Sequence, residues 1–154
     1  MKTKRISEIC EHCGLNRRDI ENWLGRLEFR TEFAPVTQGV ARQYTVENAR
    51  ELALISAFVR AGVEPRWAVA KADAVRRQIL STGGLREYVV SMNGAGKGIA
   101  TSELDAEKLT EMLAEPGCLP VLSIVHVGAV VRRVDELYAD ADAAVVEERM
   151  KVDA

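Results

Sequence analysis

Cysteine, aromatic residues and long apolar runs are all scarce in this chain. Its 154 residues include three cysteines, a small and odd number that argues against the disulfide framework of small secreted domains. No stretch approaches the roughly 18 consecutive apolar residues that a membrane span needs. The basic start, Met1 to Arg5, leads directly into an amphipathic helical pattern instead of an apolar signal core. We therefore expect a cytoplasmic protein.

Apolar and charged residues, in contrast, are present in ordinary amounts. Hydrophobic residues make up 47% of the chain and charged residues 29%, as in a typical soluble globular protein. This length suits one compact domain, or a small module with an appendage, and it can bury a core.

Charge is distributed unevenly between the two halves of the chain. Residues 1–79 carry 14 Lys and Arg against 10 Asp and Glu, whereas residues 80–154 carry 7 against 13. A basic half can neutralise phosphates and release counterions, and an acidic half is expected to face away from the same duplex. Two ordinary solvated surfaces also differ by this much through chance, so charge alone does not decide the partner.

The first 27 residues have the pattern of two short helices joined by a tight turn. Gly14 supplies the turn, and Asn16 is a good N-cap for the second helix, with Asp19 in its first turn. Two apolar stripes at helical spacing flank the turn, formed by Ile6, Ile9, Cys10 and Cys13, and by Ile20, Trp23, Leu24 and Leu27.

The second predicted helix has the composition of a recognition helix. Arg17, Arg18, Asn22 and Arg26 lie off its apolar stripe. Arg pairs with guanine edges and Asn with adenine in the major groove of DNA. The alternative is a helical hairpin whose polar face is merely solvated.

The next segment, Phe29 to Tyr44, is predicted to be a hairpin or loop because Pro35 and Gly39 interrupt it. A hairpin beside a recognition helix can rest on the DNA backbone, where Arg42 would hold a phosphate. Two further helices are predicted, from Thr45 to Gly62 and from Pro65 to about Leu80.

These motifs resemble the DNA-binding domain of MerR-type regulators. The family pattern has Ile-x-Glu-[Leu/Ile]-Ala, a Gly-Val-Ser turn, a wing ending in Gly-Tyr-Arg-x-Tyr, and then Leu, Ile and a Gly-hydrophobic pair at fixed steps. The matching positions here are Ile6, Glu8, Ile9, Gly14, Leu15, Asn16, Gly39, Arg42, Tyr44, Leu52, Ile55, Gly62 and Val63. The resemblance covers roughly residues 5–78 and implies a four-helix winged helix-turn-helix domain. The predicted DNA-binding residues are Arg17, Arg18, Asn22, Arg26, Arg30, Arg42 and Tyr44.

The chain departs from the family pattern at two places. Asp19 and Glu21 stand where the family's second helix has a hydroxyl and a cation, and the wing motif has one extra residue between Gly39 and Arg42. Related winged modules also occur in excisionases and in phage terminase small subunits.

The second half is predicted to be a small α/β module, which makes the whole chain α+β. The predicted parts are a DNA-binding domain at 1–80, a dimerisation or ligand-sensing module at 85–138, and an acidic tail at 139–154 that is a frayed helix or disordered. A strand is expected at Tyr88 to Met92, a turn at Asn93 to Gly98 and a strand at Ile99 to Thr101. A helix should then follow from Ser102 or Asp105 to about Ala114, ended by Pro116 and Gly117.

Two elements complete this module. Val121 to Val127 has the continuous apolar pattern of a strand buried on both faces, and a helix is expected from Val130 to Tyr138. A strand buried on both faces needs more packing partners than this module can provide. We therefore expect the module to pair two subunits into a homodimer. A piece ending at Leu80 is then expected to fold alone as a monomer.

Three groups of residues were weighed as chemical sites. The glycine-rich stretch Asn93 to Gly98 lacks the spacing of a phosphate-binding loop and is interpreted as a turn. Cys10, His12 and Cys13, with Cys118 and His126, suggest a metal site, but Cys10 and Cys13 share an apolar face and are interpreted as core residues. His126 is interpreted as a core histidine. We expect no enzyme activity, no cofactor and no metal.

The leading hypothesis is a sequence-specific, nucleoid-associated transcriptional regulator. It would bind double-stranded DNA as a homodimer, with a small-molecule effector as a further candidate partner. The alternatives are a mobile-element DNA-binding protein, such as an excisionase or a terminase small-subunit-like adaptor, and a protein-interaction module that has lost DNA binding.

Overall fold

The computed structural model describes residues 1–92, 98–114 and 121–152. Most of the turn predicted at Asn93 to Gly98, and the helix end predicted at Pro116 and Gly117, lie outside these residues. The described residues combine helices with two small antiparallel sheets, so the α+β class is confirmed. None of the described helices is long and apolar enough to cross a membrane.

The predicted pair of short helices is present. Helix α1 spans Ile6–Cys13 and helix α2 spans Arg17–Leu24. Gly14 between them has a φ of 66°, a left-handed conformation that glycine adopts without steric cost. The side chain of Asn16 accepts a hydrogen bond from the Asp19 backbone N–H at 3.3 Å, as an N-cap should. Helix α2 ends three residues before the predicted Leu27.

The segment after α2 is a loop and not a hairpin. Residues 26–42 lie wholly within the described range and contain no strand. Strand β2, Gln43–Thr45, instead pairs with strand β1, Thr3–Arg5, in an antiparallel two-stranded sheet. The amino terminus therefore occupies the place that a second wing strand was expected to take.

Two longer helices follow. Helix α3, Val46–Arg60, begins with a capping box in which Thr45 and Asn48 each accept the other's backbone N–H. Helix α4, Pro65–Thr82, has proline in its first turn, where the missing N–H costs nothing. The two helices pack on each other and bury Leu52, Ile55, Phe58, Ala68, Val69 and Ala72.

The second sheet has the strand order β4-β3-β5. Strand β3, Tyr88–Met92, lies between β4, Gly98–Thr101, and β5, Leu122–Val125, and both pairings are antiparallel. Helix α5, Ala106–Leu113, begins at an Asp105 cap. The predicted strand Val121 to Val127 is shorter than expected, and the prediction that it is buried on both faces is wrong. It is an edge strand, and Val121 and Ile124 are exposed by 54% and 44%.

Helix α6, Val127–Val152, joins the two halves into one core. It begins three residues before the predicted Val130 and continues through the segment that was predicted to be a frayed or disordered tail. Its first turns pack on α1 and α3 and bury Val127, Val131, Val134 and Tyr138. The predicted ranges 1–80 and 85–138 therefore do not correspond to separate cores.

Polar contacts reinforce this packing. The Tyr138 hydroxyl is directed at the carbonyl oxygens of Tyr44 and Thr45, at 2.9 and 3.1 Å. Arg50 of α3 forms an ion pair with Asp135 of α6 at 2.8 Å. These contacts tie α6 to the junction between β2 and α3.

Candidate nucleic-acid interface

Helix α2 presents three of the predicted DNA-binding residues to solvent. Ile20 and Trp23 bury one side of the helix, which leaves Arg17, Arg18 and Asn22 exposed. Arg18 and Asn22 are four residues apart and lie on the same face. Neither side chain has a hydrogen-bond partner among the described residues, whereas the Nε of Arg17 donates to Glu21 at 2.7 Å.

Arg26 and Arg30 follow α2 along the chain and are exposed. Arg26 lies in the turn that ends α2, where its backbone N–H donates to the Trp23 carbonyl at 2.9 Å. The backbone N–H of Arg30 donates to Glu51 Oε1 at 2.6 Å, and its side chain is exposed. We define the α2 face as Arg17, Arg18, Asn22, Arg26 and Arg30.

A buried polar network holds the loop beside this face. Glu51 of α3 is fully buried and accepts hydrogen bonds from the backbone N–H groups of Arg30 and Thr31 and from the Thr31 hydroxyl. Asn48 donates to the Thr31 hydroxyl and to the Glu32 carbonyl, both at 3.0 Å. The loop is therefore fastened to α3 at its start.

Asn48 and Glu51 were not predicted as functional positions, although their spacing carries a signal. Together with Ile55 and Phe58 they follow the three- and four-residue spacing of the buried face of α3. Polar residues on a buried stripe need hydrogen-bond partners, and an irregular segment rich in free backbone N–H groups is one source of them.

Arg42 and Tyr44 do not belong to the α2 face, because Arg42 lies at the end of the loop and Tyr44 lies in β2. The Arg42 guanidinium lies over the rings of Phe33 and Tyr44, 5.2 and 5.9 Å from their centroids, and its Nε donates to the Ala34 carbonyl at 2.7 Å. Tyr44 is only 3% exposed, and burial raises the pKa of its hydroxyl. The expectation that Tyr44 contacts DNA needs correction, because its ring packs in the core.

The α2 face carries carboxylates beside its cations. Asp19 and Glu21 are exposed on the same helix as Arg17 and Arg18, and the Arg17–Glu21 ion pair neutralises one charge of each sign. The cations of this face without a partner in the described ranges are thus Arg18 on the helix and Arg26 and Arg30 beyond it. Base-directed contacts from α2 would depend on Arg18 and Asn22.

No protein-family model matches this chain, and no curated protein matches it. The assignment of a function therefore depends on the geometry of its own residues.

The residues weighed as metal ligands do not converge. Within residues 1–92, 98–114 and 121–152, no three His, Cys, Asp or Glu side chains are placed to hold a metal ion. Burial raises the pKa of the Cys10 thiol and raises that of Cys13 to about 11, which disfavours the thiolate that binds metals. Cys118 lies outside the described residues.

His126 was predicted to be a core residue, and that prediction is wrong. It follows β5 and is exposed, with its Nε2 2.8 Å from Glu87 Oε2 and its ring stacked on Tyr88. Arg132 holds the same carboxylate at 2.9 Å, and its hydrogen bond, followed by that of His126, lowers the pKa of Glu87. This cluster joins the start of α6 to β3.

Proposed function

We propose that this protein is a sequence-specific DNA-binding regulator built on a MerR-type winged helix-turn-helix. The observation that carries the proposal is α2, a short helix after a glycine turn that exposes Arg18 and Asn22 one turn apart. In the major groove, an Arg side chain can bind guanine O6 and N7, and an Asn side chain can bind adenine N6 and N7. The protein would act by binding, without catalysis, on the nucleoid in the cytoplasm.

In this proposal, the loop supplies the contacts to the DNA backbone. Arg26 and Arg30 follow α2 along the chain, and the network of Asn48 and Glu51 fastens the loop beside it. Contacts to phosphates position a protein on the duplex, whereas contacts to base edges select the sequence. Arg30 is therefore proposed to bind a phosphate, with Arg18 and Asn22 directed at the bases.

Two variants separate these roles. Arg18→Ala should weaken discrimination at one base pair by about 1–3 kcal/mol, because a bidentate contact is lost. Arg30→Ala should lower the affinity for all DNA sequences by a similar factor. It should also reduce the salt dependence of binding by about one released counterion. Fluorescence titration of duplexes selected by the purified protein, at several salt concentrations, measures both effects.

Arg77→Ala on α4 is the matched control, since it removes an exposed arginine distant in sequence from the α2 face. It should leave base preference unchanged. If Arg18→Ala and Arg77→Ala give the same affinities and preferences, α2 is not a recognition helix.

A protein-interaction module is the second candidate function. Asp19, Glu21 and the Arg17–Glu21 ion pair favour it, since they leave α2 with equal numbers of positive and negative side chains. Failure of random or genomic DNA fragments to be enriched by the wild-type protein at low salt would support this candidate over the first.

We further propose that two subunits pair through the edge of β5 that has no strand partner in the described part of the chain. Val121 and Ile124 are exposed there, and an edge strand presents unpaired backbone donors and acceptors. Antiparallel pairing of this edge with its copy is isologous and closes a two-fold dimer, which would place two α2 helices on a two-fold related site.

Ile124→Lys should convert a dimer to a monomer, because a charge would then lie in the paired edge. Ile99→Lys is the control, since Ile99 is similarly exposed on the opposite edge strand and pairs with the same residue, Val90. Light scattering at a protein concentration of tens of micromolar measures the molar mass in solution. A wild-type monomer, or equal effects of the two substitutions, would contradict pairing through β5.

A further inference from the structure

A pocket of about 220 Å³ opens where the two halves of the chain meet. The end of α1 contributes Cys13 and the turn after it Leu15, the second half of α3 contributes Ser56 and Arg60, and the start of α6 contributes Val130 and Arg133. Ala53, Ala57 and Ala129 complete mainly apolar walls. The volume is below the range of about 300–1,000 Å³ that is typical for drug-sized ligands, so an occupant would be small.

Ser56 is the first indication of a ligand. Its side chain is only 6% exposed and lines the pocket, yet its hydroxyl has no hydrogen-bond partner among the described residues. The hydroxyl oxygen is not among the fully buried side-chain atoms that lack a partner, so it is open to solvent through the pocket. The Ser56 hydroxyl is therefore available to a polar atom inside the pocket.

Two arginines are the second indication. Arg60 and Arg133 both line the pocket and both are exposed. One nitrogen of Arg60 donates to the Gly14 carbonyl at 3.0 Å, which leaves its other donors available, and the Arg133 guanidinium has no partner within the described part of the chain. Among the described residues, no carboxylate lines the pocket to neutralise them.

Cys13 does not change this charge balance. Burial raises the pKa of its thiol to about 11, so the thiol stays neutral at physiological pH. The pocket thus combines apolar walls, one hydroxyl without a partner among the described residues, and two positive charges. Arginine binds carboxylates through paired N–H donors, which fits a planar anionic group better than a metal ion or a neutral molecule.

We propose that this pocket binds a small organic carboxylate, with its apolar body between Leu15, Ala57 and Val130. Its carboxylate would accept hydrogen bonds from Arg133, Arg60 and the Ser56 hydroxyl. The proposal depends on the pocket alone and holds whether or not the protein binds DNA.

Benzoate is the probe, and benzamide is its neutral counterpart of the same shape. Titration of the ¹⁵N-labelled full chain with benzoate should give saturable NMR shifts at residues 13–15, 53–60 and 129–133. The affinity for benzamide should be lower by a factor of about ten or more, because benzamide cannot form charge-assisted hydrogen bonds with the arginines. Similar shifts with both compounds, or no saturable shift with benzoate, would overturn the proposal.

Variants locate the site. Arg133→Gln should weaken benzoate binding about tenfold or more, and Ala129→Trp should abolish it by filling the pocket from its exposed rim. Arg132→Gln is the matched control, because the neighbouring arginine contacts Glu87 and does not line the pocket. Thermal unfolding of each variant verifies that it is folded.

A second copy of the chain is the competing occupant. If Ala129→Trp dissociates a dimer in light scattering, and benzoate produces no shift at these residues, the pocket belongs to an interface and the proposal is wrong. Loss of benzoate binding in Arg132→Gln and Arg133→Gln alike would also contradict it, since a general electrostatic attraction would then suffice.

Discussion

A chain that ends at Leu80 should fail to fold cooperatively. The sequence alone favoured the opposite result, a soluble amino-terminal domain. In the structure, Val127, Val131, Val134 and Tyr138 of α6 are buried against α1 and α3. Their removal would expose the apolar faces of both helices to water.

The expected loss is large compared with ordinary stability. Burying a Val or similar side chain contributes about 1.5–3 kcal/mol. Four such side chains therefore contribute an amount similar to the roughly 5–15 kcal/mol that separates folded from unfolded domains. The Arg50–Asp135 ion pair and the Tyr138 hydrogen bonds would be lost as well.

Circular dichroism and NMR dispersion of the fragment 1–80 measure this effect. A chain ending at Ala139 is the control, because it keeps all four buried side chains of α6 and should melt cooperatively. A fragment 1–80 with dispersed NMR signals and a sharp thermal transition would show that α1 to α4 fold without α6.

Glu51→Ala should destabilise the protein by about 3 kcal/mol and release the loop beside α2. The buried carboxylate accepts three hydrogen bonds from Arg30 and Thr31, and hydrogen bonds to a charged group are stronger than neutral ones. Removing the acceptor leaves these donors without their partner, and it loosens the Thr31 hydroxyl that accepts a hydrogen bond from the Asn48 amide. Glu51→Gln should have a smaller effect, because one amide oxygen can still accept.

Urea unfolding measures the stability change, and hydrogen exchange of the Arg30 and Thr31 amides measures the release of the loop. Glu28→Ala is the control, since this carboxylate lies in the same loop and is exposed. Equal exchange rates in Glu51→Ala and the wild-type protein would show that the loop is held by other contacts, such as Arg42 over Phe33.

Most helices were predictable from the sequence because their signals are local. Asn16 caps α2, Thr45 and Asn48 cap α3, and Pro65 begins α4. Each signal involves a side chain and a backbone group only a few residues away, so its energy does not depend on the rest of the fold. The apolar spacing of α1 and the exposed polar face of α2 could be predicted from the sequence in the same way.

Pairing between distant segments was not predictable from one sequence. The partner of β2 is the amino-terminal strand, not a second wing strand. An edge strand that is partly exposed, such as β5, has the same apolar composition as a strand buried on both faces. The burial of Tyr44 also depends on residues far away in the chain, since Phe33 and Tyr138 of α6 contact it.

The sequence by itself determined where α2, α3 and α4 begin, the turn at Gly14, and which residues α2 exposes, because these depend on hydrogen bonds and side-chain periodicity within a few residues. Tertiary structure alone decided that α6 covers α1 and α3, that Glu51 fastens the loop, and that Ser56 and Arg133 line one pocket. Those arrangements depend on contacts between residues 20 to more than 70 positions apart in the chain. No local pattern specifies which distant apolar face a helix will pack against, since many such faces would bury a similar apolar area.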